Sequence, residues 1–266
     1  GEMDYTADEA LYPGAPFPPD GRYAVELDAV DASAEGEEEK TARENGIALL
    51  ESGDYEGALD QFEALIQDAD RVTDFEVDIL KYRAEAEYGL KDYEAAAHTY
   101  DILSQIDKER AEYGYFAALS LAKAGDPAGA WEKLEQGRAL DEDGTAPGFA
   151  EAMTAVGEAY LDSGDQERAD AVYTELIQSG KAGTSVYNRL AMAEIKAGDY
   201  ETALSYCETG LALSDRTAVR ELKFNQAVCF EHLGQYQKAL ELFQAYTEEF
   251  GSDEAAEHEI AFLKTR

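Results

Sequence analysis

The stretch from Met153 to Ile177, MTAVGEAYLDSGDQERADAVYTELI, decides the fold. It reads as one helix, a tight break at Gly164-Asp165-Gln166, and a second helix. The break glycine suits a chain reversal, because it adopts backbone conformations that residues with a Cβ reach only at a cost. Gly157 on the first helix lets the second approach closely, Ala169 answers it from the second, and Tyr173 fills the space beyond.

The same phrase recurs on both sides: Gly53-Asp54-Tyr55, Lys91-Asp92-Tyr93, Gly125-Asp126-Pro127, Gly198-Asp199-Tyr200 and Gly234-Gln235-Tyr236. Successive spacings are 38, 34, 39, 34 and 36 residues, a period that signals stacked supersecondary units. Each break is followed by an alanine (Ala58, Ala96, Ala130, Ala169, Ala203, Ala239). Four residues later comes a larger residue: Phe62, Tyr100, Leu134, Tyr173, Cys207 or Phe243. Small residues precede each break at Gly46, Ala84, Ala118, Gly157, Ala191 and Ala227. Between breaks, runs such as Ala58 to Ile66 keep the helical i, i+3, i+4, i+7 recurrence.

These features resemble the tetratricopeptide repeat family over residues 39–250, as six helix pairs, followed by a capping helix from Asp253 to Lys264. The third copy departs most, with Pro127 in place of tyrosine and Gly137 near its end. The family's proline after the second helix is largely missing, and longer loops are expected near residues 68–76 and 141–149. The resemblance implies an all-α, right-handed superhelical solenoid with a concave groove lined by the first helix of each pair. It also implies non-enzymatic binding of a protein or peptide segment in that groove. By analogy with the family, the groove candidates are Tyr115, Leu119, Leu161, Met192, Ile195 and Phe224, with the scarce cations Lys40, Arg43 and Lys81 at one end. The Lys/Asn clamp by which some members hold a peptide's C-terminal carboxylate is not reproduced: Ile47 and Tyr82 stand for its asparagines, Glu112 and Phe116 for later basic residues.

Charge narrows the function further. Against 58 acids stand 22 Lys and Arg in 266 residues, a net charge of -36, so phosphate backbones and anionic lipids would repel the chain. Nucleic acid is not an expected partner. No apolar run reaches the ~18–20 residues that span a bilayer. His98, His232 and His258 lie far apart and read as solvated helix surface, and the carboxylates form no recognisable catalytic set. No enzyme activity, metal or cofactor is therefore expected. Asp141-Glu142-Asp143-Gly144 faintly suggests a calcium loop, but alanines stand where it needs ligands, at Ala139 and Ala150. Cys207 and Cys229 read as two buried thiols rather than a disulfide, and Trp131 as packing.

Residues 1–38 read as a separate acidic tail, ahead of the repeat domain at 39–266. The tail holds Pro13, Pro16, Pro18 and Pro19, and Arg22 alone opposes its acids. Tyr12, Phe17 and Tyr23 give it apolar anchors, so it is itself a candidate occupant of the groove, the alternative being packing outside the first repeats. An acidic, proline-containing spacer resembles the stalk that follows a secretion or lipoprotein signal. With Gly1 first, it suggests a processed chain whose only membrane link would be a removed anchor. The expected location is extracellular or in the cell envelope, with the cytoplasm as the alternative. The second functional reading is an envelope or cell-surface lipoprotein acting as an assembly subunit.

Overall fold

The computed structural model describes residues 36–67 and 72–266. Thirteen α-helices and no strand occur among the described residues. Six pairs follow one another: α1 (Glu37–Glu51) with α2 (Tyr55–Gln67), α3 (Asp74–Gly89) with α4 (Tyr93–Ile106), and α5 (Ala111–Ala124) with α6 (Pro127–Arg138). Then come α7 (Phe149–Asp162) with α8 (Gln166–Gln178), α9 (Thr184–Ala197) with α10 (Tyr200–Leu211), and α11 (Val219–His232) with α12 (Tyr236–Phe250). A last helix, α13 (Glu254–Leu263), occupies the expected capping segment. The helices fall into two compact units, one ending at Val172 and one starting at Tyr173. Apart from residues 36–38, the acidic tail and its proposed docking lie outside the described residues.

The breaks share one local chemistry, except that Gln235 at the last of them gives no side-chain cap. Gly164 adopts φ +83°, and the backbone N–H groups of Gly164 and Asp165 turn back onto the carbonyls of Leu161 and Tyr160, closing α7. The following aspartate then opens the next helix, its carboxylate accepting a backbone N–H three residues on. Asp54 accepts from Gly57 at 3.0 Å, Asp126 from Gly129 at 2.9 Å and Asp199 from Thr202 at 3.0 Å. The repeated Gly-Asp is thus a stop followed by a start. Lys91 is the exception: it holds φ +63°, alone among the described non-glycine residues with positive φ. Lys91→Gly should therefore raise stability by about 0.5–1 kcal/mol. Denaturant melts of the two proteins check this, and a lower midpoint for the variant would contradict it.

The patterned alanines and their large partners form the helix-pair cores. Ala58, Ala96, Ala130, Ala169, Ala203 and Ala239 are fully buried, as are Phe62, Tyr100, Leu134, Cys207 and Phe243. Backbone approaches backbone where α5 crosses α6. A Cβ on Gly114 would lie 2.8 Å from the backbone nitrogen of Gly137, and one on Gly137 would lie 2.6 Å from the Tyr115 ring. Gly137 is therefore not a defect of the third copy but half of its helix crossing. The long loop before α7 is tied by Asp141, which accepts from the Thr145 and Ala146 backbone N–H groups at 2.9 and 3.0 Å and from the Tyr115 hydroxyl at 3.0 Å. That carboxylate is occupied by the chain's own donors. Cys207 and Cys229 are free thiols, both buried. His98, His232 and His258 are exposed, His232 stacking on Tyr200 with ring centroids 4.3 Å apart.

Candidate binding surfaces

In the first unit the expected groove residues are mostly internal. Arg43 and Asp78 form a buried ion pair at 2.5 Å, with side chains 5% and 0% exposed. The Arg43 guanidinium also meets the Tyr82 hydroxyl at 3.4 Å and lies over its ring, which stacks in turn on Phe62. Burial pushes the Asp78 carboxyl up to about 6, even though Arg43 pulls it down. Lys81 is buried, Lys40 half-buried, and Leu161 half-buried near the end of α7.

Tyr115 and Leu119 are buried too, at 0% and 4% exposure, which corrects the expectation that they face an open groove. The Tyr115 ring packs edge-on to Phe149 and against Gly137, and its hydroxyl is held by Asp141. The reason is visible in α5 itself. From Tyr113 to Leu119 the helix has no polar face, and a helix that is apolar all round is buried all round. Helices α4, α6 and α7 supply its cover.

In the second unit the first helices of successive pairs, α9 and α11, pack directly on each other and leave part of their apolar face open. Met192 is 48% exposed, with Ile195 half-buried one turn on. Beside Met192 lies a two-residue amide chain: Asn225 donates to the Asn188 carbonyl at 2.8 Å, and the Asn188 amide lies 3.7 Å from the Met192 sulfur. Phe224 is only half-buried, yet its ring packs edge-on against Phe243 and Tyr246, so its main role is packing against α12. Nearby Glu231 has its carboxyl pushed up to about 7 by burial and by the neighbouring Glu259 carboxylate. The amide pair was not foreseen from sequence. Its signal was present, since the two asparagines stand one repeat apart.

Sequence profiles of the tetratricopeptide repeat match residues 43–108, 150–179 and 184–248, together more than half of the chain. The chain belongs to the tetratricopeptide repeat family. No curated protein matches it in sequence. Among solved structures it is similar to PilW, described as a widely conserved type IV pilus biogenesis factor, at 17% identity and a TM-score of 0.59. That match covers 86% of this chain and 99% of PilW. It is also similar to YrrB, described as having an unusual peptide-binding site, at 19% identity and TM-score 0.52, over 64% of this chain and 84% of YrrB. A tetratricopeptide repeat protein from Parabacteroides merdae matches at 15% identity and TM-score 0.56, over 87% and 86% of the two chains. At these identities the likeness is one of fold. Tetratricopeptide repeat proteins bind protein or peptide partners and generally serve as non-enzymatic scaffolds.

Proposed function

We propose that this tetratricopeptide repeat protein is a non-enzymatic scaffold that binds a peptide or protein segment on the α9–α11 face of its second unit. The observation that carries this reading is Met192, a large apolar side chain 48% exposed next to the Asn188–Asn225 amide pair. An apolar side chain of the partner would cover Met192 and Ile195, and the amides would exchange hydrogen bonds with its backbone. The peptide-binding site of YrrB, on the same fold, supports it by analogy.

Met192→Asp tests the reading without disturbing the core. Affinity capture with both proteins, read by mass spectrometry, should return a partner with the natural chain. The variant should recover at least tenfold less, with circular dichroism unchanged. Phe224 is unsuitable for this purpose, because an aspartate there would break its contacts with Phe243 and Tyr246. Equal recovery at intact helicity would overturn the assignment.

A second reading, an envelope or cell-surface assembly subunit, draws support from the likeness in fold to PilW, a type IV pilus biogenesis factor, over 86% of this chain, and from the acidic, proline-containing composition of residues 1–38. A lipidation cysteine in the encoded sequence just upstream of Gly1 would favour it. An initiator methionine directly before Gly1 would favour a cytoplasmic adaptor.

A further inference from the structure

A pocket of about 460 Å³ opens in the first unit where the N-terminal ends of α3 and α5 meet the loop after α4. Its lining includes two polar side chains that make no hydrogen bond or ion pair among the described residues. Lys81 is 7% exposed, and among the described residues no carboxylate lies within ion-pair distance of its ammonium, which sits 5.8 Å from the centre of the Tyr113 ring. The Tyr113 hydroxyl is fully buried and has no hydrogen-bond partner. Both groups are donors, and burying a donor without an acceptor is unfavourable. The neighbouring acids form their ion pairs elsewhere: Asp78 through Oδ2 to Arg43 at 2.5 Å, its buried Oδ1 keeping no hydrogen-bond partner, and Asp107 and Glu112 to Arg110 at 3.0 and 3.2 Å. Burial, with the Arg110 charge second, draws the Lys81 ammonium down to about 8, against the opposing pull of Asp78, Glu112 and Asp107. The ammonium thus lacks a direct ion-pair partner, and Asp78, Glu112 and Asp107 act on it only from beyond contact distance. Arg110, at the head of α5, contributes no side-chain cap there, so the helix end adds a further preference for an anion.

The rest of the lining says which anion. Val77 and Ile106 provide apolar wall, suited to methylene groups. At the rim Asp74 and Glu109 are exposed beside Lys108, and the two carboxylates can accept N–H groups from a peptide backbone, which a free phosphate does not offer. An internal residue carries such groups on both sides. We propose that this pocket receives the side-chain carboxylate of a glutamate within a peptide, with Lys81 and Tyr113 donating to the carboxylate and Val77 and Ile106 flanking its stem. The site is independent of the α9–α11 surface. It uses neither Tyr82 nor Glu112, which stand at positions of the family's carboxylate clamp.

The test is calorimetric titration of the full chain with acetyl-Ala-Ala-Glu-Ala-Ala-amide, its glutamine counterpart, and an acetylated alanine peptide with a free C-terminal carboxylate. The glutamate peptide should bind with a Kd of about 1 mM or below, and the other two at least tenfold more weakly. Lys81→Met should weaken the glutamate peptide at least tenfold, and Tyr113→Phe about threefold, with neither variant melting earlier. Binding should also fall as pH rises through about 8 and Lys81 loses its proton. Met192→Asp should bind the peptide as the natural chain does, separating this site from the α9–α11 surface. The proposal fails if the glutamate peptide shows no binding to about 10 mM. It also fails if the glutamine or free-carboxylate peptide binds as well, or if Lys81→Met binds unchanged.

Discussion

Gly114→Val is expected to destabilise the first unit by about 3 kcal/mol, enough to melt α5 and α6 well before the rest. The added side chain would meet the backbone of Gly137 and the Lys133 carbonyl, at 2.8 to 3.0 Å already from its Cβ. Backbone cannot rotate away as a side-chain tip can, so the helices must separate. Intrinsic helix propensity acts in the opposite direction, since valine is a better helix former than glycine by a few tenths of a kcal/mol. The sign of the change therefore decides between packing and propensity. Hydrogen exchange across α5 and α6, with denaturant melts, reads it. Ala128→Gln on the exposed face of α6 is the control, expected within about 0.5 kcal/mol of the natural chain. Unchanged protection in Gly114→Val would show that the two helices do not cross as closely as described.

Asp78→Ala carries the second large effect, a loss of about 3–5 kcal/mol, because it leaves the Arg43 guanidinium buried without its carboxylate. Replacing both partners, Arg43→Met with Asp78→Leu, should restore stability to near or above the natural level. The reason lies in the direction of the Asp78 shift. Its carboxyl is raised to about 6, so the folded state holds the proton more tightly than the unfolded chain does. This group's contribution is then fully present below about pH 4 and lost as pH rises through about 6. Above that, burial of the carboxylate outweighs its attraction to Arg43. Chemical denaturation of the two variants and the natural chain at pH 7 tests the pair, and a double variant as unstable as Asp78→Ala would contradict this account.

How far the sequence could be read depended on whether the information was local. The turn glycines, the alanines after each break and the larger residues four positions on repeat with the period of the fold, so six pairs and a cap were legible. The aspartates of the breaks were equally regular, and their capping role needed only the position of the next helix. Candidate site residues fared differently, because a groove position is defined by what lies opposite it. Tyr115 and Met192 were read as equivalent. Tyr115 is sealed by Phe149, Gly137 and Asp141, whereas Met192 remains half open.

Periodicity and residue size, acting over one or two helices, determined the all-α repeat architecture, its turn chemistry and its capping helix from sequence alone. The negative charge likewise made nucleic acid and anionic lipid unexpected partners. Tertiary structure alone decided which side chains are satisfied. Lys81 and Arg43 are both cations on first helices, yet Arg43 meets Asp78 across the α1–α3 contact while Lys81 and Tyr113 line a pocket with neither paired directly to an acceptor. Burial and pairing depend on atoms brought together from helices 35 residues apart, and no local pattern records whether a partner arrives.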